Sequence, residues 1–550
     1  MREETRPENR SEIRSDLITF EIVRGALSGI AEEMKNVVMR GSFSPLLSLS
    51  GDLSCAVADR DGNVVAQGED IPVHLGAMPF TLRGLLTDPR IDPRAAPLVP
   101  GDVLITNDPY AGGNHLPDVT VVTPVFQGGK LLAFCASRVH WPDVGGSNAG
   151  SSASVDDVLK EGVRIPPAKL ARGGTLNEDL IAVLLANMRL PEDRRGDLEA
   201  QLAGNRRGCA RITELADRYG PDVITQVLAD TQAYSRALVR RGLAELPDGV
   251  FEHAETLDDD GFGTPPSDLV LQVRVDKHGG QIHCDFTGTS RCARGSVNAP
   301  LSVTASSTYY SVLALLGGRI TPNSGAYQPI RITAPPGTLV HATHPHPVVA
   351  ANTETSSRIV DVVLGALARA APDRVAAGSY GSAGVYTLSG VDPRNGRTFV
   401  HYETIGGGMG ATCHGPGPGG MRVHMGNTMN LPAEAIESRA PVLIRRYELI
   451  PRSGGPGEHA GGTGVRKVIE STTDRLEFSV LGERADSPAA GHAGGGPGRR
   501  AGFTLRTADG TRTDLPSKTS SPPYLDRGDQ LWLETAGGGG YGTAEAHGDE

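Results

Sequence analysis

The amino-acid sequence predicts a large α+β protein of several packed units with a β-rich C-terminal domain. Its 550 residues are too many for one hydrophobic core. Apolar residues recur at helical spacing in some segments, while short alternating apolar runs separated by Gly or Pro turns dominate elsewhere. Glycine (71) and proline (39) are spread among these runs, which is typical of an ordered protein with many tight turns.

Three segments have the pattern of helices. The first covers residues 20–40, the second covers residues 222–246 and stops at the sequence LPDG, and both are amphipathic. The apolar positions of the first are Val23, Leu27, Ile30, Met34 and Val37. The third, IVDVVLGALARAAP, is apolar on nearly every face, which predicts a buried helix that Pro372 ends.

Short apolar runs predict the strands. GDVLIT, DVTVVTPVF and KLLAFCASRVHW read as successive strands, and LQVRV with QIHCDF reads as a hairpin around DKHGG. After about residue 440, five candidates follow among Gly and Pro turns: YELI, KVIE, LEFSVL, GFTLRT and QLWLET. The sequences GGGG (537–540) and TAEAHGDE are predicted to be loop and tail.

These patterns predict three domains. An N-terminal α/β domain at 15–250 carries the candidate metal site described below. A middle α+β domain follows at 251–440, and a β-rich domain at 441–543 ends the chain.

Composition excludes several classes of function. The formal net charge of -11 argues against a nucleic-acid partner held by electrostatics. The charged start and the lack of a long apolar run predict neither a signal peptide nor a membrane span, and six cysteines without a CxxC pair favour a reducing cytoplasm. The sequence contains no GxxxxGK[ST] motif, so no ATP-binding P-loop is predicted. No GxSxG motif lies between a strand and a helix, as a serine hydrolase needs.

Two short motifs indicate a metal site. HLPD supplies His115 and Asp118, and HWPD supplies His140 and Asp143, each pair at a strand boundary. If the strands between the motifs are neighbours, the four side chains converge on one spot. Imidazole nitrogen with carboxylate oxygen suits Mn, Zn or Fe. The alternative is that these groups only bond within turns.

Other residues near these motifs are weaker candidates. Asp52 and His74 are each either a further ligand, a partner that orients a ligand, or purely structural. Asp108, in NDPY, is predicted to form a turn. Cys413 lies in a glycine-rich stretch and is a candidate nucleophile, but no base that would activate it can be identified.

Many segments together resemble one family, hydantoinase B. They include DLSCAVADRDGNVVAQ, IPVHLGAMP, GDVLITNDPYAGGNHLPDVTVVTPVF, SRVHWPDVGG, ETSSRIVDVVLGALA, GGGMGATCHGPG, VHMGNTMNLPAEAIE and TAGGGGYG, in the family's order from about residue 15 to 543. The family also forms half of ATP-dependent 5-oxoprolinase and a subunit of acetone and acetophenone carboxylases. The resemblance implies a mixed multi-domain hydantoinase B-like fold.

The resemblance also implies an activity. It implies a cytoplasmic hetero-oligomer in which a hydantoinase A-like partner binds ATP and phosphorylates a small cyclic amide. This chain would then open the phosphorylated ring with water. Carried onto matching positions, the family's divalent metal implies Asp52, His115, His140 and Asp143 as ligands, with Asp118 and His140 as catalytic groups. Two alternatives stay open: a subunit of an ATP-dependent ketone carboxylase, and a non-catalytic assembly subunit.

Overall fold

A computed structural model describes residues 13–91, 97–152, 154–317 and 320–544. Twelve α-helices lie within these ranges: α1 (Leu17–Gly41), α2 (Pro45–Ser48), α3 (Pro72–Leu75), α4 (Met78–Thr87), α5 (Val158–Glu161), α6 (Glu178–Ala186), α7 (Pro191–Tyr219), α8 (Pro221–Ala244), α9 (Leu301–Leu315), α10 (Ser324–Tyr327), α11 (Thr355–Leu367) and α12 (Ala433–Arg439). Short 3₁₀ helices cover Pro109–Ala111, Pro266–Asp268, Val349–Ala351 and Pro372–Arg374.

The same ranges hold twenty strands: β1 (Leu53–Asp59), β2 (Val64–Gln67), β3 (Val103–Thr106), β4 (Asp118–Gln127), β5 (Lys130–His140), β6 (Ala168–Arg172), β7 (Thr175–Leu176), β8 (Gly249–Thr256), β9 (Val270–His278), β10 (Gln281–Asp285), β11 (Ile330–Thr333), β12 (Val385–Asp392), β13 (Arg397–Thr404), β14 (Val442–Leu449), β15 (Val465–Ser471), β16 (Glu477–Leu481), β17 (Gly502–Arg506), β18 (Arg512–Leu515), β19 (Lys518–Ser520) and β20 (Gln530–Glu534).

The strands form four sheets. Their orders are β2-β1-β5-β4-β3-β6-β7, β11-β10-β9-β8, β13-β12-β16-β19 and β14-β15-β20-β17-β18. The α+β prediction and the β-rich C-terminal part are therefore confirmed, as are the predicted strands and the β9–β10 hairpin. The domain boundaries stay a prediction, and the third sheet pairs strands from both sides of residue 440.

Two of the predicted helices are confirmed by α1 and α8, and α11 is buried as expected. The third helix ends earlier than predicted, because α11 stops at Leu367 and Pro372 begins a separate 3₁₀ helix. None of the helices described by the structure is long and apolar enough to span a lipid bilayer.

Helix α7, with 29 residues, was not predicted from apolar periodicity because polar residues occupy much of its buried face. The Gln201 side-chain amide donates to the Val119 carbonyl at 3.1 Å, and the Asn205 amide donates to the Val121 carbonyl at 3.0 Å. These bonds satisfy buried polar groups and attach α7 to strand β4. They fix the strand that carries the candidate metal site.

The glycines of the C-terminal part form a packed core. Residues 537–540 belong to no helix or strand, which agrees with the predicted loop, but all four are buried. The Gly538 amide donates to the Gly462 carbonyl at 2.9 Å, and the Gly455 amide donates to the Gly538 carbonyl at 2.8 Å. Segments come this close only because no Cβ separates them. The predicted tail extends beyond residue 544, outside the described residues.

Candidate metal centre

Strands β4 and β5 bring the two sequence motifs together. They form an antiparallel hairpin through Gly128 and Gly129, which both have positive φ (56° and 76°). In its register Asp118, the first residue of β4, lies opposite His140, the last residue of β5. His115 precedes Asp118 by one turn, and the Asp118 amide donates to the His115 carbonyl at 3.0 Å. Local sequence and strand pairing therefore place all three residues at one sheet end.

The side chains of His115, Asp118 and His140 form a buried cluster. Their candidate ligand atoms all lie within 4.8 Å of one another. Asp118 Oδ1 is 3.0 Å from His115 Nε2 and 3.5 Å from His140 Nδ1. All three residues are at most 2% exposed. Two imidazoles and a carboxylate thus share one enclosed position.

His74 is a fourth member of the cluster. Its Nε2 lies 3.1 Å from Asp118 Oδ2, and its Nδ1 lies 3.0 Å from the Ser54 hydroxyl on β1. Helix α3 holds this histidine in place. The sequence suggested His74 as a ligand or an orienting partner, and the contact with Asp118 is compatible with both.

The middle of the chain contributes Asn352, which follows a 3₁₀ helix. Its amide nitrogen lies 3.1 Å from His115 Nε2, and His115 Nδ1 lies 3.2 Å from the Val349 carbonyl. A carbonyl only accepts, so Nδ1 carries a proton. His115 Nε2, which is 3.0 Å from Asp118 Oδ1, is therefore the nitrogen left to bind a metal.

Asp52 and Asp143, the other two predicted ligands, lie outside the three-residue cluster. Asp52 lines a small cavity together with His140, but it is not part of the three-residue cluster. Asp143 is directed elsewhere: Oδ1 accepts from the Gly145 amide at 3.2 Å and from Arg189 Nη1 at 3.1 Å. Oδ2 accepts from the Leu190 amide at 3.2 Å. The carboxylate of Asp143 therefore ties the loop after β5 to the start of α7.

Burial and charge act against each other on Asp118 and His140. Burial alone would raise the pKa of the Asp118 carboxyl, but the charges of His115 and His74 and the hydrogen bonds from His115 and His140 hold that pKa well below its usual range. Burial lowers the pKa of His140, although its bond to Asp118 opposes this. The cluster therefore favours an ionised carboxylate beside a neutral imidazole.

A cavity of about 40 Å³ adjoins the cluster. Asp52, His74, His140 and Asn352 line it from one side, and Tyr402 lines it from the C-terminal half. The Tyr402 ring lies 4.5 Å from the His140 ring, centroid to centroid. Burial, followed by the charge of Asp52, raises the pKa of Tyr402 well above its usual value. The phenol therefore stays protonated.

The residues present fit a divalent ion. Ligand atoms about 2.1 Å from a tetrahedral ion lie about 3.4 Å apart, close to the 3.0 and 3.5 Å that separate Asp118 Oδ1 from the two histidine nitrogens. Nitrogen and oxygen donors of this kind suit Mn, Zn or Fe.

Sequence reasoning missed Asn352 and Tyr402. Neither lies in a motif with metal-ligand spacing, and both are more than 200 residues from His115 along the chain. Cys413, considered as a nucleophile, donates its thiol hydrogen to the Asp373 carbonyl at 3.1 Å. The group bonded to this thiol is a backbone carbonyl and not a general base.

The family comparison covers almost the whole chain. The family described as "Hydantoinase B/oxoprolinase" matches residues 16–544. The chain belongs to this hydantoinase B/oxoprolinase family. The resemblance found in the sequence motifs is confirmed.

Relatives within the family differ in length. The chain is 35% identical to 5-oxoprolinase 1 of Arabidopsis thaliana over 550 residues, which cover 96% of this chain and 42% of that protein. It is 32% identical to the caprolactamase subunit beta of Pseudomonas jessenii over 489 residues, which cover 87% and 82% of the two chains. This chain therefore corresponds to less than half of the plant protein.

Solved structures confirm the multi-domain fold. The ATP-dependent caprolactamase from Pseudomonas jessenii superposes with a TM-score of 0.86 at 29% identity, covering 96% of this chain and 92% of that one. Acetone carboxylase superposes with a TM-score of 0.84 at 17% identity, covering 96% and 75%. The second likeness concerns the fold alone.

Glu161 supports the metal centre indirectly, through the backbone segment that contacts His115. Its Oε1 accepts from the Val348 and Val349 amides, both at 2.7 Å, and Val349 in turn binds His115. Burial outweighs these two bonds and raises the pKa of Glu161 to about 8. The side chain is thus a positioning group that is neutral near neutral pH.

We expect Glu161→Gln to flatten the dependence of stability on pH. A carboxyl with a raised pKa stabilises the folded state below its unfolded pKa, and this contribution is lost as pH rises through about 8. Gln keeps the acceptor oxygen but cannot ionise. Thermal unfolding between pH 6 and pH 9, values chosen as roughly spanning that titration, should show a smaller fall in Tm for Glu161→Gln than for the wild type. The exposed control Glu434→Gln should follow the wild type.

Proposed function

We propose that this chain is the metal-bearing subunit of an ATP-dependent cyclic-amide hydrolase of the hydantoinase or 5-oxoprolinase type. It opens a ring that a hydantoinase A-like partner has activated by phosphorylation. The observation that carries the proposal is the buried cluster of His115, Asp118 and His140 beside a cavity. The names of the relatives, caprolactamase and 5-oxoprolinase, support the reaction class.

The partner follows from what the chain lacks and from its relatives. The sequence carries no P-loop motif. The Pseudomonas jessenii relative is named as a beta subunit, and the plant 5-oxoprolinase is more than twice as long as the matching region. We therefore assign ATP binding and phosphorylation to a separate subunit in a hetero-oligomer.

The ligand set proposed here is His115, Asp118 and His140, with His74 beside Asp118. This revises three roles implied by the family resemblance: Asp118 becomes a ligand, Asp52 is no longer one, and Asp143, which is bonded to Arg189, fixes a loop. When bound, a divalent ion would polarise an oxygen and lower the pKa of water. The Val349 carbonyl, which accepts from His115 Nδ1, leaves Nε2 as the ligating nitrogen.

Two other residues on the cavity wall serve the reaction. Asp52 lines the cavity beside His140, and its carboxylate forms no side-chain hydrogen bond with any residue that the structure describes. It is placed to accept a proton from the attacking water. Arg422 also lines the cavity, and its Nη1 is buried without a hydrogen-bond partner among the described residues. We assign to Nη1 an acceptor atom on the ring of the substrate.

Arg422→Met is expected to separate substrate binding from metal binding. The variant removes the free Nη1 donor but none of the three proposed ligands. We expect kcat/KM to fall about 10- to 100-fold, the usual effect of losing a charged hydrogen bond, with unchanged metal content. Steady-state kinetics and elemental analysis measure the two effects. A parallel loss of metal would place Arg422 in a purely structural role.

Co-expression with the partner tests the proposed function. ATP turnover should depend on a cyclic amide, and hydantoins, 5-oxoproline and caprolactam form the substrate panel. Bicarbonate should have no effect. Turnover that needs bicarbonate with acetone or acetophenone would instead assign the chain to a ketone carboxylase. Activity without any bound divalent ion would leave it an assembly subunit.

A further inference from the structure

A second cavity, a cleft of about 610 Å³, opens beside the metal centre. Tyr402 lines both cavities, and Pro142, two residues after His140, lines the cleft. The volume lies within the roughly 300–1,000 Å³ typical of small-molecule sites. The cleft is therefore large enough for a phosphorylated ring next to the metal centre.

Two buried side chains on the cleft wall carry hydrogen-bond donors that have no acceptor among the described residues. The Arg194 side chain is 1% exposed and its Nη2 lies 2.9 Å from Asp197 Oδ2, but its Nε and Nη1 are without a partner. The Ser44 hydroxyl, on a residue that is 2% exposed, also has none. Buried donors are normally satisfied, because leaving one unpaired destabilises the folded state. The pair indicates that a ligand supplies the acceptors.

The surroundings favour an anion at this wall. The first turn of the 29-residue helix α7 lines the cleft, but the Asp143 carboxylate already accepts from the amide of its cap residue Leu190, so this helix end has an anionic partner. Arg397 and Arg439 also line the cleft and make no ion pair with a described residue. Glu192 and Asp193 in that first turn oppose them, so binding depends on the buried donors.

We propose that Ser44 and Arg194 form an oxyanion site for a phosphoryl group. This inference rests on the proposed function in one respect: the phosphoryl group is then that of the activated ring, held while the ring lies towards Tyr402. A guanidinium with two unpaired nitrogens and a hydroxyl match the several terminal oxygens of a phosphoryl group better than the two of a carboxylate.

Titration of the metal-depleted full-length chain with inorganic phosphate tests the site. Calorimetry should give saturable binding of one phosphate per chain. We expect Ser44→Ala to weaken it several-fold and Arg194→Met about tenfold or more. Ser44 Oγ makes no hydrogen bond with a described residue, so Ser44→Ala should fold normally even if loss of the Asp197 contact destabilises Arg194→Met. The control Arg195→Met removes a neighbouring arginine that pairs with Glu178 and Glu199.

Each other result overturns the proposal. Absence of saturable binding excludes a phosphate site, and equal weakening by Arg195→Met makes the effect a general one of charge. Binding that appears only when the metal is restored assigns the phosphate to the metal centre. Acetate binding as tight as phosphate, with the same response to Ser44→Ala, assigns the site to a carboxylate. None of these titrations requires turnover, so failure of the phosphate site is distinguishable from failure of the proposed hydrolase activity.

An experiment on the assembled enzyme tests whether the phosphoryl group at this site belongs to the activated ring. If the site holds the phosphoryl group of the activated ring, inorganic phosphate should inhibit turnover, and Ser44→Ala should weaken that inhibition. Inhibition by phosphate that is equally strong in Ser44→Ala and the wild type overturns the assignment to the ring's phosphoryl group.

Discussion

His140→Ala is expected to release the divalent ion and abolish ring opening. His140 supplies one of three candidate ligands, and its Nδ1 lies 3.5 Å from Asp118 Oδ1. Loss of a residue that merely orients a ligand typically lowers metal affinity or activity about 10- to 100-fold, so loss of a ligand itself should exceed this. Elemental analysis should find roughly one divalent ion per wild-type chain and far less in the variant.

A matched histidine variant separates the site from general effects. His283 lies on β10, away from the centre, and bonds to the Thr333 hydroxyl at 2.9 Å. His283→Ala should retain both metal and activity. His115→Ala should behave like His140→Ala. Unchanged metal content in both His115→Ala and His140→Ala would disprove the proposed centre and return these residues to a structural role.

Gly538→Ala is expected to be among the most destabilising single-methyl substitutions in the chain. A Cβ at this position would lie 2.1 Å from the Met409 carbonyl oxygen and 2.3 Å from its carbon. Both are backbone atoms held by neighbouring glycine segments, so they cannot move aside as a flexible side chain does. Overpacking typically costs about 1–3 kcal/mol and occasionally more; we expect at least about 3 kcal/mol here. Thermal or denaturant unfolding measures the loss.

Gly29→Ala is the control for this substitution. Gly29 is exposed on α1, and a Cβ there meets nothing within 4 Å. The same methyl group should stabilise the helix by about 0.5–1 kcal/mol, because Ala loses less conformational freedom than Gly. Similar stability of Gly538→Ala and the wild type would show that the glycine segments can separate without cost.

Part of the candidate site could be predicted from the sequence. The HLPD and HWPD motifs flank one predicted hairpin, and strand pairing at its open end joins Asp118 to His140. The equal spacing of the motifs nevertheless suggested equal roles for Asp118 and Asp143. Spacing does not determine the direction of a side chain, and the Arg189 side chain that binds Asp143 comes from a segment 46 residues later.

The sequence also determined the α+β class, the main strands and the membership of the family, because alternating apolar residues, turn residues and motif order are local properties of the chain. Tertiary structure alone decided the rest. Asn352 and Tyr402 reach the metal centre from distant segments, the polar face of α7 is buried because strand carbonyls accept its amide hydrogens, and residues 537–540 form a core because other glycine segments pack against them. Each depends on contacts between residues far apart in sequence, which no local pattern records.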